Sequence, residues 1–379
     1  MNELNKASLK HPGEHLKELL AKRGLSQSDL AFILGQSLTG INVIISGRRN
    51  ISPDMSKGLG IALGLSPGYF ADLQTAYDLA HANDPDPSVS LRADMMEKYP
   101  IREMIKRRWI EDADAGQIQS QLAQFFELSN VDEIPYLAHA AKKSSYEERD
   151  IPPAQLAWLF RVRQIAKSMA VPKYSNRTLT KALDRLKEMV VSPEETRHIP
   201  RLLTECGVRF VMVETLPQAK IDGVCFWLDP NSPVIGMSTR YDRLDNFWFV
   251  LRHEIEHVLR KHGMDEDIVD AELEGHRAST DDSLLPQERI ANAAAADFGV
   301  STVKLESFMR RKHPFYYEKD VVAFSKLNGT HPGIVVGQLQ RRLNRYDYLK
   351  KYQVKIRQFV LPGAIADGWG QSVPLQGAV

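Results

Sequence analysis

The chain has 379 residues, 43% of them hydrophobic and 26% charged, which is ordinary globular composition and long enough for two or three domains with their own cores. A net charge of +1 excludes a molecule-wide basic field, so any nucleic-acid contact has to come from a local patch. Two cysteines, Cys206 and Cys225, exclude a disulfide scaffold or a multi-cysteine zinc knuckle, and the lack of a signal-like start or of a membrane-length apolar run gives the expectation of a cytoplasmic protein with no membrane contact.

Short helices with visible punctuation are expected over residues 14–75. Glu14 to Lys22 carries Leu16, Leu19 and Leu20 and is stopped by Gly24; Ser26 with Asp29 caps a helix to Gly35, and Ser37 caps another through Ile45. Ser52-Pro53 and Ser66-Pro67 each set a cap before a proline at the first helical position, so two more helices begin there. A helix, the turn Gly35-Gln36-Ser37 and a second helix make a helix-turn-helix, whose second member enters the DNA major groove. Residues 1–57 hold eight Lys or Arg against five Asp or Glu. Arg48 and Arg49, just past the second helix, suit phosphates, and Gln36, Ser37, Thr39 and Asn42 are the candidate readers of base edges. The competing reading is a helical domain of this shape that pairs only with a protein. Gly58, Gly60 and Gly64 imitate a nucleotide loop, but no strand precedes them and the Ser52-Pro53 cap puts them inside a helix.

Residues 81–156 are expected to form a helical linker region, opening on a Pro- and Asp-rich stretch and continuing with mixed-charge sequence. There Lys106, Arg107 and Arg108 read as a solvated helical face or a further phosphate contact. In the next region, 157–362, Val208 to Val213, Val224 to Leu228 and Val234 to Ser238 read as short strands of a small sheet. Val234 to Ser238 is either an edge strand, open to pairing with an extended peptide, or an ordinary buried strand. Asp245 to Lys261 reads as one helix, because Trp248, Leu251, Ile255, Val258 and Leu259 recur at three- and four-residue spacing before Gly263. Residues 363–379 are expected to be a loosely ordered tail. The fold class is α+β and mostly helical, with an all-α domain over 1–80.

Within the long helix lies His253-Glu254-Ile255-Glu256-His257. A spacing of four puts both imidazoles on one helical face, where one metal ion can take both. Glu254, one step around the helix, is placed to accept a proton from a water that the ion activates. The bland reading is a helix that merely displays two histidines.

His11-Pro12-Gly13-Glu14, Gly24-Leu25-Ser26-Gln27, Ile51-Ser52-Pro53 and Leu73-Gln74-Thr75-Ala76-Tyr77-Asp78-Leu79 resemble the Xre-type helix-turn-helix of HigA-like antitoxins. From Ala157 onward the chain resembles the ImmA/IrrE metallopeptidases, through Pro233-Val234-Ile235, Asp245-Asn246-Phe247-Trp248, the histidine motif, Glu288-Arg289-Ile290-Ala291-Asn292 and His331-Pro332-Gly333-Ile334-Val335-Val336-Gly337. This second resemblance implies a gluzincin-like domain over 157–362 that binds Zn2+ through His253, His257 and Glu288, with Glu254 as general base. Without it, Glu288 has only Pro286 and the alanine-rich run behind it in its favour, and Glu272 and Glu274 remain rivals. An oxyanion donor would come from Tyr241, His262 or His331. The pattern departs at Glu256, where the family has a small or apolar residue.

Two functions follow. One is a DNA-binding regulator with a zinc-dependent endopeptidase domain that cleaves or controls a partner regulatory protein, a repressor or a toxin-antitoxin component. The other is a HigA-like antitoxin or repressor whose peptidase-like domain is inactive and binds a toxin or a signal. Both imply DNA, in the form of its own promoter or operator, as a partner, and a two-fold operator would suit a homodimer.

Overall fold

The first four front helices each start where a side chain satisfies one of their first free N–H groups, whereas the fifth starts at Tyr69 behind Gly68 with no side-chain cap, not at the expected Ser66-Pro67. A computed structural model describes residues 10–128, 152–262, 264, 268–271 and 286–374, and the chain divides into two compact units, Met1–Val89 and Ser90–Val379. In the first, His11 caps α1 (Pro12–Arg23), Ser26 and Asp29 form a reciprocal capping box on α2 (Gln27–Leu34), Ser37 caps α3 (Leu38–Ile45) and Ser52 caps α4 (Pro53–Leu63). α5 (Tyr69–His81) closes the unit. Leu16, Leu20, Leu30, Ile41, Ile44, Leu59, Leu63 and Phe70 form its core. Gly58 and Gly60 lie inside α4 and Gly64 is its left-handed C-cap, so the imitation nucleotide loop is helix.

The second unit begins within α6 (Ser88–Lys98) and continues with α7 (Ile101–Lys106), α8 (Ala115–Phe125) and α9 (Pro153–Ser168). α10 (Asn176–Met189) and α11 (Ile199–Glu205) lead into β1 (Arg209–Val213), β2 (Ile221–Trp227), β3 (Pro233–Met237), α12 (Leu244–Leu259) and β4 (Ile268–Ala271). α13 (Pro286–Gly299), α14 (Thr302–Lys312), α15 (Glu318–Leu327), α16 (Pro332–Leu343), α17 (Arg357–Val360) and β5 (Ile365–Asp367) complete it. The strands form one mixed sheet in the order β4-β2-β3-β1-β5. β3 runs parallel to β1 and antiparallel to β2, β1 parallel to β5, and β2 antiparallel to β4.

Alternation along the strands feeds two cores. Phe210, Met212, Cys225, Ile235 and Met237 face the layer of α10, α11, α12 and α13. Val211, Val213, Val224, Phe226 and Val234 face α6 to α9. A strand with period-two side chains can serve two layers only when both faces are covered.

This arrangement corrects three expectations. The described residues from Ser90 to Leu128 of the expected 81–156 linker region are part of the second unit, because Met95, Met104, Trp109, Ile118, Leu122 and Phe126 are the back layer of the sheet's own core. Val234 to Ser238 is not an edge: β3 is the middle strand, hydrogen-bonded on both sides, and β4 and β5 are the outer strands among the described residues. The expected loose tail from 363 supplies β5, whose Asp367 is 1% exposed and accepts from Trp109 Nε1 at 3.0 Å and from Arg161 Nε at 2.9 Å. That buried ion pair ties the end of the chain to α9. Residues 375–379 lie outside the described residues.

Candidate functional site

α12 is buried along nearly its whole length, sandwiched between the sheet and α13. Its partner helix can come close because the buried face of α13 is Glu288, Ala291, Ala295 and Gly299, small residues apart from the one carboxylate. Pro286 opens α13, so Glu288 falls in its first turn. Close approach of these two helices brings Glu288 to the histidines. The result is a cluster of His253, His257 and Glu288 in which one donor atom from each lies within 4.8 Å of the others. The Nε2 atoms of His253 and His257 are 2.9 Å apart. Glu288 Oε2 is 3.4 Å from His253 Nε2, and Oε1 is 3.7 Å from His257 Nε2.

A tetrahedral zinc with bonds of about 2.0–2.1 Å to nitrogen sets its donors about 3.3 Å from each other. The three separations bracket that value, and two neutral imidazoles with one carboxylate are a donor set zinc takes readily, so the residues fit the ion. Both histidines are fully buried and Glu288 is nearly so. Glu272 and Glu274, the rival carboxylates, fall outside the described residues.

The surroundings orient the cluster. His257 Nδ1 lies 3.1 Å from His262 Nδ1. If His262 accepts there, the proton sits on His257 Nδ1 and the Nε2 lone pair faces the cluster. His262 is itself pinned, its carbonyl accepting from Trp227 Nε1 of β2 at 2.9 Å. Glu256 is turned aside: Arg252 Nη2 donates to it at 2.7 Å and Arg260 Nε at 2.5 Å. Burial raises its carboxyl, and the two arginine hydrogen bonds more than offset this, so it stays below the ordinary carboxylate range.

Glu254 is fully buried under β2. A Cβ on Gly223 would lie 2.1 Å from its Oε1, so only glycine lets the strand pass so near that carboxylate. Of the three candidate oxyanion donors, His262 is engaged behind His257. His331 caps α16, its Nδ1 accepting from Gly333 N at 3.0 Å, and burial pushes its pKa below the usual imidazole value while Glu194 pulls the other way. Tyr241 is 41% exposed and its hydroxyl accepts from Arg240 at 2.8 Å.

In the first unit, α2 and α3 meet at 118° across Gly35-Gln36-Ser37, the geometry of a helix-turn-helix. Gln36, Ser37, Thr39, Asn42, Arg48 and Arg49 are all exposed. Thr39 and Asn42, three apart, share one face of α3. Ser37 Oγ accepts from Gly40 N at 3.1 Å, so this hydroxyl is already used as the cap. Gly47, at φ 72°, turns the chain so that Arg48 and Arg49 follow α3, and the segment is held by Ile51 N donating to the buried Gln74 Oε1 at 3.0 Å. Lys106, Arg107 and Arg108 separate in character: Arg107 donates to the carbonyls of Glu214 and Thr215 at 2.8 Å and is a fold contact, not a phosphate contact.

His262, weighed from sequence only as an oxyanion donor, is the partner of His257, and Trp109, Arg161 and Asp367 were passed over. Arg252 and Arg260, each four residues from Glu256, were a readable signal. Nothing local connects Arg161 with Asp367.

Residues 16–70 match a family model described as helix-turn-helix, and this segment of the chain is therefore of that class. Among solved structures, the chain is similar to an addiction module antidote protein of the HigA family from Coxiella burnetii, at 27% identity and a TM-score of 0.19, over 24% of this chain and 94% of that one. A comparison with curated proteins finds no match. Among the described residues no single helix is long and apolar enough to cross a membrane.

Proposed function

We propose that this chain is a cytoplasmic DNA-binding regulator whose second unit is a zinc-dependent endopeptidase of the ImmA/IrrE kind, cleaving or controlling a partner regulatory protein such as a repressor or a toxin-antitoxin component. The observation that carries the reading is the convergence of two buried histidines and Glu288 beside a buried Glu254. His253, His257 and Glu288 would hold the ion. Bound there, zinc supplies Lewis acidity for hydrolysis of a peptide bond. Glu254 accepts the proton of the attacking water on a carboxylate oxygen; the new C–O bond forms, the C–N bond breaks, and the same proton goes to the leaving amine. His262 keeps His257 in the binding tautomer, and the arginine pair on Glu256 keeps a third acid from competing for the ion. The helix-turn-helix supports DNA as the partner of the first unit, with Arg48 and Arg49 on phosphates and Gln36, Thr39 and Asn42 toward the bases.

The test is metal analysis joined to a cleavage assay. Purified protein is expected to carry about one zinc per chain. Glu254→Gln should keep the zinc and lose about a hundredfold or more in cleavage of a regulatory protein encoded beside it. Metal-free, folded wild-type protein would defeat the reading. Zinc-loaded wild type that cleaves no neighbouring protein would leave an antitoxin-like scaffold instead.

A further inference from the structure

The stretch that follows α13 is strongly basic. Residues 301–352 hold eleven Lys or Arg against four Asp or Glu, whereas the whole chain stands at +1. Pairing among the side chains sharpens the imbalance. Glu306 lies 3.6 Å from Arg342, Glu318 is held by Lys351 at 2.7 Å and by the Tyr352 hydroxyl at 2.6 Å, and Asp320 accepts from Lys312 at 2.9 Å. The acids around α14 and the start of α15 are thus already matched. Lys304, Arg310, Arg311 and Lys319 are exposed, and among the described residues none of them makes an ion pair.

Between Arg310 and Arg311 on one side and Lys319 on the other, the loop of residues 313–317 carries three aromatic side chains. Tyr316 is the anchor, its ring 6.4 Å from that of Phe308 and its carbonyl accepting from the Tyr348 hydroxyl. Its two neighbours stay in solvent. Phe315 and Tyr317 are 64% and 61% exposed, and their rings lie 6.2 Å apart with 27° between the planes. Exposed apolar groups rimmed by charge mark an interaction surface. A basic last turn also suits the negative end of α14, but that does not account for two rings held side by side in water.

We propose that this loop, with the adjoining ends of α14 and α15, binds single-stranded nucleic acid, the bases stacking on Phe315 and Tyr317 and the phosphates meeting Arg310, Arg311 and Lys319. Every base has a flat face for an aromatic ring and every nucleotide a charge for a cation, so such a surface needs no particular sequence. An acidic peptide would satisfy the cations and leave the rings without a planar partner. A duplex keeps its base faces stacked inside, which separates this surface from a helix-turn-helix that reads groove edges. The claim rests on neither the peptidase reading nor the DNA contacts of the first unit.

The test is fluorescence anisotropy of the full chain carrying Arg48→Ala and Arg49→Ala, which removes the phosphate contacts assigned to the first unit. The probes are a labelled DNA strand of about 20 nucleotides, longer than a typical single-strand site, with its RNA counterpart and its duplex. At low salt the single strand is expected to bind at least about tenfold more tightly than the duplex. Phe315→Ala with Tyr317→Ala should cost about tenfold or more in that affinity, whereas Phe315→Trp with Tyr317→Trp should keep it. Arg310→Gln with Lys319→Gln should lower the log–log salt slope by about 1.4, one phosphate contact of about 0.7 for each side chain. All four side chains are exposed, so the melting transition should match that of the parent. Binding of either the DNA or the RNA strand in this pattern supports the proposal, and the tighter of the two names the sugar. A duplex bound as tightly as the strand, polyglutamate competing equally at equal charge, no binding at low salt, or affinity indifferent to the loss of both rings each overturns it.

Discussion

At Gly223, an added Cβ would lie 2.1 Å from Oε1 of Glu254 and 2.9 Å from Cγ1 of Val250. A carboxylate at the end of a side chain can move away more easily than a helix can, so Gly223→Ala should displace Glu254 and leave the fold and the three donor residues in place. On the proposed function this variant keeps its zinc and loses about tenfold to a hundredfold in turnover, since a displacement of about 1 Å at a reacting group costs that much. Metal analysis beside a cleavage assay checks it, and unchanged turnover would remove Glu254 as the base. The same residue scale separates what was readable from what was not. The HExxH spacing announces a shared helical face by itself, because four residues make about one turn. The tautomer of His257 does not follow from spacing, since it depends on a ring five positions on, held by Trp227 from another element.

Among elements, the first four front helices were legible almost to their ends, while the expected Ser66-Pro67 start is a turn and that helix begins at Tyr69. Ser26, Ser37 and Ser52 each accept a backbone N–H three residues ahead, and Gly24, Gly35 and Gly64 each take the left-handed conformation that ends a helix. Those are local interactions, and local sequence states them. The position of β3 was not local. A run of five apolar-to-neutral residues suits an edge or a centre equally, and only the pairing with β1 and β2 decides. With β3 in the centre, an incoming peptide that adds to this sheet among the described residues has β4 or β5 to join.

The recognition element carries its own prediction. Arg48 and Arg49 are exposed beyond α3, fixed by the Gly47 turn and the Ile51–Gln74 hydrogen bond. Replacing both with alanine should weaken binding to DNA from upstream of the protein's own gene at all sequences alike. It should also lower the steepness of the salt dependence by about two in log–log slope, one phosphate contact for each arginine. Fluorescence anisotropy across a salt series reads both quantities. Binding and slope equal to wild type would leave the first unit as a protein-pairing module.

Across the whole second unit, the Arg161–Asp367 pair closes the back layer onto the last strand, with Trp109 bonded to the same carboxylate. The two charged side chains are 2% and 1% exposed. Removing one partner strands the other in a low-dielectric interior, so Asp367→Ala should cost about 3–5 kcal/mol. Replacing both, Arg161→Met with Asp367→Leu, should recover most of that, because the desolvation of both charges disappears together. Urea unfolding of the single and double variants decides it; a double variant as weak as the single would mean that the loss comes from packing around Trp109 and not from a bare charge.

The sequence by itself determined the helices with their caps, the helix-turn-helix segment and the pair of histidines on one face, since each of these depends on neighbours within a turn or two. Only the tertiary structure decided that Glu288 meets those histidines, that residues near 100–126 belong to the sheet's core, and that Asp367 of β5 is buried. Those outcomes depend on which small-residue faces allow helices to approach and on which charges find each other across two hundred residues, and no stretch of chain carries that information before the layers close.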